Sequence, residues 1–159
     1  MGYRGVLFGF FAAGIASVLY EVLLGKHFSK RSDRRHHWPL ICLSSGLLFT
    51  LIFIHTLSIG ILSIYSSAFL LILAGSTALF FRHDLVADAL VSGITFASLS
   101  AFGFVIYTIL FPTVVEAWWN TGELLVIPFV KYPAEEIMWA FAFGFAAGPM
   151  YEFLAGKKF

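Results

Sequence analysis

The chain is organised by five long apolar stretches separated by short polar punctuation, at about 5–25, 39–57, 60–81, 85–111 and 133–155. A membrane helix needs roughly 20 mostly apolar residues, and each stretch meets that length. An outer-membrane strand instead needs about 10 residues of strict alternation, which none of the five shows. The pattern therefore predicts an all-α, polytopic transmembrane helix bundle, with residues 1–159 forming a single transmembrane domain. The connections at Thr56–Gly60 and Arg82–Asp84 are short enough to make the helices they join antiparallel neighbours in contact. The one long connection, between 113 and 132, has an apolar centre at Leu124–Val130 that is too short to cross a bilayer. It is expected to be an interfacial or re-entrant segment, covered by protein where its backbone is irregular.

Composition agrees with this reading: 60% of the residues are hydrophobic and 12% are charged, with a mean hydropathy of +0.90. The first apolar stretch is preceded only by Arg4 and ends at Tyr20-Glu21, without the basic start and small-residue cleavage site of a secretory signal. It is expected to be a permanent span. Charge position sets the orientation. Lys26, Lys30, Arg31, Arg34, Arg35, Arg82, Lys157 and Lys158 are 8 of the 10 basic residues, and all fall on one side of the predicted bundle. The positive-inside rule makes that side cytoplasmic, which puts the N-terminus outside and the C-terminus inside a multi-pass protein of the cell membrane. The basic loop favours anionic membrane lipids as partners, and nothing in the chain points to nucleic acid. Cys42 is the sole cysteine, so no internal disulfide or thiolate metal site is available. His27, His36 and His37 lie in the basic loop without the spacing of a metal site. No metal or other cofactor is expected.

The first and last spans end alike, in YEVLLGKHF (20–28) and YEFLAGKKF (151–159), each with FAAG shortly upstream. Glycine followed by lysine suits a helix C-terminus. A carboxylate one turn deeper is unfavourable at that end of the dipole unless something answers it. Glu21 and Glu152 are therefore expected to form ion pairs with lysine or arginine from the inner loops, and a proton or ion path is the alternative. Gly144 and Gly148 form a GxxxG packing stripe, expected to meet a similar stripe at Gly9, Ala13 and Ser17 of the first span. Pro149 should kink the last span. Asp84 and Asp88, at i, i+4, read as helix-start acids paired with Arg82.

The densest chemistry is Pro133-Ala134-Glu135-Glu136, at the mouth of the last span. Proline at the first helical position followed by two acids fits a helix N-terminus, where the positive dipole end stabilises carboxylates. The same acids at the edge of a water-poor, aromatic-rich cavity suit proton donation to a substrate. Successive helical residues point about 100° apart, so Glu135 and Glu136 face different surroundings, and Trp139 shares the face of Glu135. Trp118 and Trp119 sit where a headgroup-level belt is expected. Glu135 and Glu136 are candidate catalytic acids, and Trp118, Trp119 and Trp139 candidate substrate contacts. His55, near the outer end of the second span, is placed to approach the acids. No histidine follows Glu136, which excludes a membrane metalloprotease built on a Glu-Glu pair and later histidines.

KYPAEEIMWAFAFG, with FPTVVEAWWN and RHDLVADAL upstream, resembles the lycopene-cyclase domain family of small integral membrane proteins over roughly residues 82–156. The resemblance implies an isoprenoid-facing bundle and a redox-neutral, acid-catalysed closure of a carotenoid end group. Pro133, Glu135 and Glu136 are the positions that match its motif. The chain carries one Pro-x-Glu-Glu, where a fused two-domain enzyme carries two, so homo- or hetero-oligomers with other membrane proteins are expected. From a different class, a non-catalytic accessory subunit of a larger membrane complex also fits a chain with almost no soluble loops.

Overall fold

A computed structural model describes residues 63–113, 124–127 and 132–155, together with 14–15, 22, 29–30, 46, 50, 54 and 157–158. The first two predicted spans thus lie almost wholly outside the described residues, as do Trp118, Trp119, Glu21, His55 and the basic loop around His36. The described elements, in chain order, are β1 (Ser29–Lys30), α1 (Ser63–Phe81), α2 (Val86–Leu110), β2 (Val126–Ile127), β3 (Tyr132–Pro133), α3 (Ala134–Ala147), α4 (Met150–Ala155) and β4 (Lys157–Lys158). A single 3-10 turn, His83–Leu85, joins α1 to α2.

The apolar runs read from sequence map closely onto α1 and α2. Ile64–Phe81 and His83–Leu110 are long and apolar enough to cross a bilayer. The distribution of side-chain size also fits a lipid surround. Among the described residues the buried apolar side chains are mostly alanine, at 68, 78, 89, 97, 140, 142 and 146, whereas Phe69, Phe80, Ile94, Phe102 and Ile109 are each more than half exposed. A protein folded in water puts its large apolar side chains inside. Lipid removes that driving force and lets small residues bring helix backbones together.

α3 is the centre of the described bundle. Apart from the turn that joins them, α1 and α2 pack mainly on α3 rather than on each other, which corrects the expectation of a direct α1–α2 contact. The reason is reciprocal fitting of glycine and phenylalanine. A Cβ on Gly75 of α1 would lie 2.6 Å from the Phe145 ring, and one on Gly93 of α2 would lie 2.9 Å from the Phe141 ring. In return, Gly144 of α3 admits α2, since a Cβ there would lie 2.6 Å from the Ser92 carbonyl oxygen and 2.8 Å from the Phe96 Cβ. Gly148 meets the Ser92 side chain in the same way. The GxxxG stripe therefore faces the fourth predicted span, where Ser92 and Gly93 are small enough to receive it; the stripe of the first span, at Gly9, Ala13 and Ser17, lies outside the described residues. Because the atom facing Gly144 belongs to backbone, it cannot swing aside. Gly144→Ala is expected to destabilise the bundle by about 1–3 kcal/mol, the usual range for overpacking, read as a lower unfolding temperature in detergent; an unchanged temperature would remove this contact as a determinant.

Local chemistry sets the ends of α3. Pro133 is extended, at φ −66° and ψ 120°, and caps the helix, so the first helical residue is Ala134 rather than the proline. Pro133 and Tyr132 pair instead with Val126 and Ile127 in a short antiparallel ladder, and the Ala134 N–H donates to the Leu125 carbonyl at 2.8 Å. The described part of the long 113–132 connection is thus a strand laid against the start of α3. At the other end, Gly148-Pro149 interrupts the helix and α4 begins at Met150. Proline lacks the N–H that would continue the ladder and clashes with the preceding turn. β4 then pairs with β1, Ser29 opposite Lys158 and Lys30 opposite Lys157, so the chain segments that close the two similar sequence endings meet.

Candidate active site

Glu135 lies in the first turn of α3 and is only 3% exposed. Its Oε1 accepts two hydrogen bonds, from the Tyr65 hydroxyl of α1 at 2.7 Å and from the Leu125 backbone N–H at 2.9 Å. One oxygen is therefore fixed from two directions, and the other, Oε2, is buried without a partner among the described residues. The first turn of the helix adds the positive end of its dipole. Glu136, the next residue, is half-buried. The two acids named by the motif thus differ in role, and Glu135 is the one gripped by neighbours on two other segments.

Aromatic side chains surround this end of α3. Trp139 donates from Nε1 to Ser67 Oγ at 3.1 Å and stacks on Phe143 with centroids 5.3 Å apart. Phe143 in turn lies 5.2 Å from Phe96. Tyr132, just before the helix, is buried and packs on Phe104 at 4.2 Å; burial pushes its phenol above the ordinary value. Between α2 and α3, on a different side of α3 from the Glu135 and Trp139 contacts to α1, a mainly apolar groove of about 440 Å³ is lined by Ile94, Ala97, Ser98, Ala101, Ile137, Met138 and Phe141.

Sequence reasoning did not single out Tyr65, Leu125 or Ser67. A signal was present in Tyr65-Ser66-Ser67, three consecutive polar-tipped residues at the start of an apolar span. No comparable signal marks Leu125, which contributes only its backbone. Among the described residues no group of three or more histidine, cysteine, aspartate or glutamate side chains is arranged to hold a metal ion.

The family model described as lycopene cyclase matches residues 62–154, which takes in α1, α2, α3 and nearly all of α4. The chain belongs to the lycopene cyclase family. No curated protein and no solved structure matches the chain. The family segment begins about twenty residues before the stretch on which the motif resemblance rests, and that extension adds α1 with Tyr65 and Ser67. Both residues that join α1 to the acid end of α3 therefore lie inside the lycopene cyclase segment. So do Arg82, Asp88 and Glu152 at its opposite end.

At that opposite end the residues expected to form ion pairs are differently arranged. Arg82 pairs with Asp84 at 2.6 Å, as the sequence suggests. Its Nη1 donates to the Glu152 backbone carbonyl at 2.8 Å, while the Glu152 carboxyl meets that of Asp88. Glu152 is thus tied to Arg82 through its main chain, and its acid group faces another acid. The cause is the break at Pro149, which restarts the helix and turns Glu152 toward the start of α2. The basic loop between the first two predicted spans, from which the expected cations of Glu21 and Glu152 would also come, lies largely outside the described residues.

Proposed function

We propose that this chain is a multi-pass protein of the cell membrane that binds a linear isoprenoid of the carotenoid class and closes its end group by acid catalysis, with Glu135 as the proton donor. The observation that carries the reading is the asymmetric grip on the Glu135 carboxyl. In the neutral acid, Oε1 is the carbonyl oxygen that accepts from Tyr65 and Leu125, and Oε2 carries the proton with no competing acceptor among the described residues. Protonating a carbon–carbon double bond asks for a strong acid. The two donors on Oε1 and the helix dipole stabilise the carboxylate left behind, which makes the proton easier to give.

The chemistry balances without a cofactor. The Oε2 proton adds to the terminal double bond and leaves a tertiary cation. A second double bond attacks that cation and closes the ring, and loss of a proton from a neighbouring carbon restores a neutral product isomeric with the substrate. Nothing is oxidised or reduced. Aromatic faces such as those of Trp139, Phe143 and Phe96 can stabilise a passing cation, and the mainly apolar groove between α2 and α3 offers a lining with little polar competition for the polyene. Glu136 remains a candidate acid on the strength of the motif, and Trp118 and Trp119, which lie outside the described residues, remain candidate substrate contacts.

Incubation of the full chain in liposomes with lycopene in D₂O tests the reading. The expected product has one deuterium per ring formed and is cyclic, while recovered substrate is unlabelled. Absence of any cyclic product overturns the proposal, and a product formed without deuterium overturns the acid mechanism. Tyr65→Phe removes one donor from Oε1 and leaves the ring in place. It is expected to slow ring closure by roughly tenfold, the worth of about 1.4 kcal/mol of lost transition-state stabilisation, with little change in substrate uptake. An unaltered rate would mean that Tyr65 only packs there.

A further inference from the structure

The end of the bundle away from Glu135 gathers a second set of polar side chains out of solvent. Glu152 is 1% and Asp88 2% exposed, with Ser92 and Arg82 also buried. Arg82 is occupied by Asp84, at 3.3 Å from Nε and 2.6 Å from Nη2, and by the Glu152 carbonyl at Nη1. Ser92 Oγ donates to Asp88 Oδ1 at 3.2 Å. Asp88 Oδ2 and Glu152 Oε2 then remain without a donor among the described residues. Ser92, which bonds Asp88, is the residue packed against Gly148, one turn before Glu152, and this packing brings the two buried carboxyl groups face to face.

Two ionised carboxyls have only acceptors, so a bond between them requires that one be protonated. Leaving both charged in a site this dry would add like-charge repulsion to the cost of desolvation. A metal ion is a poorer answer than a proton. Among the described residues it would have two carboxyl groups at most, and it would sit close to the Arg82 guanidinium. The single negative charge that remains after one proton is added has two compensations: Asp88 is in the first turn of α2, at the favourable dipole end, and Arg82 lies across the turn.

We propose that Asp88 and Glu152 share one proton and form a second Brønsted-acid site in this bundle, distinct from Glu135. The separation is set by α1. Glu135 bonds Tyr65, and Glu152 bonds Arg82, which lies 17 positions further along; at 1.5 Å per residue the two sites are about 25 Å apart. The shared proton ties α4 to the start of α2. The proposal does not depend on the acid role of Glu135.

Infrared spectroscopy of the full chain in lipid at neutral pH tests it, comparing H₂O with D₂O in Glu135→Gln and in its combinations with Asp88→Asn and with Glu152→Gln. A protonated-carboxyl stretching band that shifts in D₂O is expected in Glu135→Gln, where Glu135 itself cannot contribute, and it is expected to be lost when either Asp88→Asn or Glu152→Gln is added to that variant. Absence of the band in Glu135→Gln, or its retention in both double variants, overturns the proposal. A band that emerges only after chelation of cations overturns it too, in favour of a bound metal. If either variant at the pair fails to assemble, Glu135→Gln protein with carboxyl-labelled aspartate or glutamate decides the matter. There the remaining band must move with at least one label, and a protein without any such band contradicts the shared proton.

Discussion

Glu135→Gln is expected to abolish cyclisation while leaving the protein assembled. Glutamine keeps the shape of the side chain and presents a carbonyl oxygen to Tyr65 and Leu125, so both bonds to Oε1 survive. What is lost is the acid proton. Removing a positioned general acid typically costs about 10²–10⁴ in rate, and a loss at the upper end is expected here because no second carboxyl group as deeply buried is held at this end of α3 among the described residues. The comparison is with Glu136→Gln, which is expected to reduce turnover less, since Glu136 is only half-buried. Rates of product formation in liposomes, normalised to folded protein by size-exclusion chromatography, separate loss of chemistry from loss of assembly. Equal and small effects of both substitutions would remove Glu135 from the acid role.

Arg82 is expected to give the largest loss of stability. Its guanidinium stands at the junction of α1 and α2, only 8% exposed, paired with Asp84 and donating to the first turn of α4. Arg82→Gln removes the charge from Asp84 and the donor from the Glu152 carbonyl together. Breaking a fully buried pair costs about 3–5 kcal/mol; because Asp84 is 27% exposed, water can answer part of its charge, and about 2–3 kcal/mol is expected. Arg82→Lys should recover only part of this, since lysine lacks the planar fork that reaches two oxygens of Asp84 and a carbonyl on a different side. Thermal unfolding in detergent reads both. An Arg82→Gln protein as stable as wild type would show that α4 is held by its proline-directed geometry alone.

The helices at this end of the chain were legible because their causes are local. Apolar runs predict 60–81 and 85–111, and the structure has Ser63–Phe81 and Val86–Leu110. Pro149 stops one helix and starts another, as an absent N–H and a clash with the preceding turn demand. The acid motif was legible as chemistry, since two carboxylates at the mouth of an apolar span call for an explanation. Which carboxylate is gripped was not. Glu135 and Glu136 have the same side chain and adjacent positions, and their difference comes from a hydroxyl 70 residues away and a backbone N–H on the preceding connection.

The same division holds for packing. A GxxxG stripe announces close approach, but small residues are complementary to many surfaces. Its partner is decided by which neighbour offers a matching depression, and here Ser92 and Gly93 do. The position of α3 between α1 and α2 follows from that fit and from phenylalanines seated on Gly75 and Gly93, none of which has a sequence-local sign. Asp88 read as a helix-start acid and Glu152 as half of an ion pair. Each reading is locally sound, and neither contains the other residue.

The sequence by itself therefore determined the apolar segments from 60 to 155, the breaks between them and the residue types capable of acid chemistry, because hydrophobic length, proline geometry and helix-end electrostatics act within a few residues. Tertiary structure alone decided that one oxygen of Glu135 is held by two donors while the other is buried without one among the described residues, that Asp88 and Glu152 share one buried end and that α3 is central among the described helices. Those outcomes depend on which surfaces bring distant backbones within a few ångströms, and burial there changes what a charge costs.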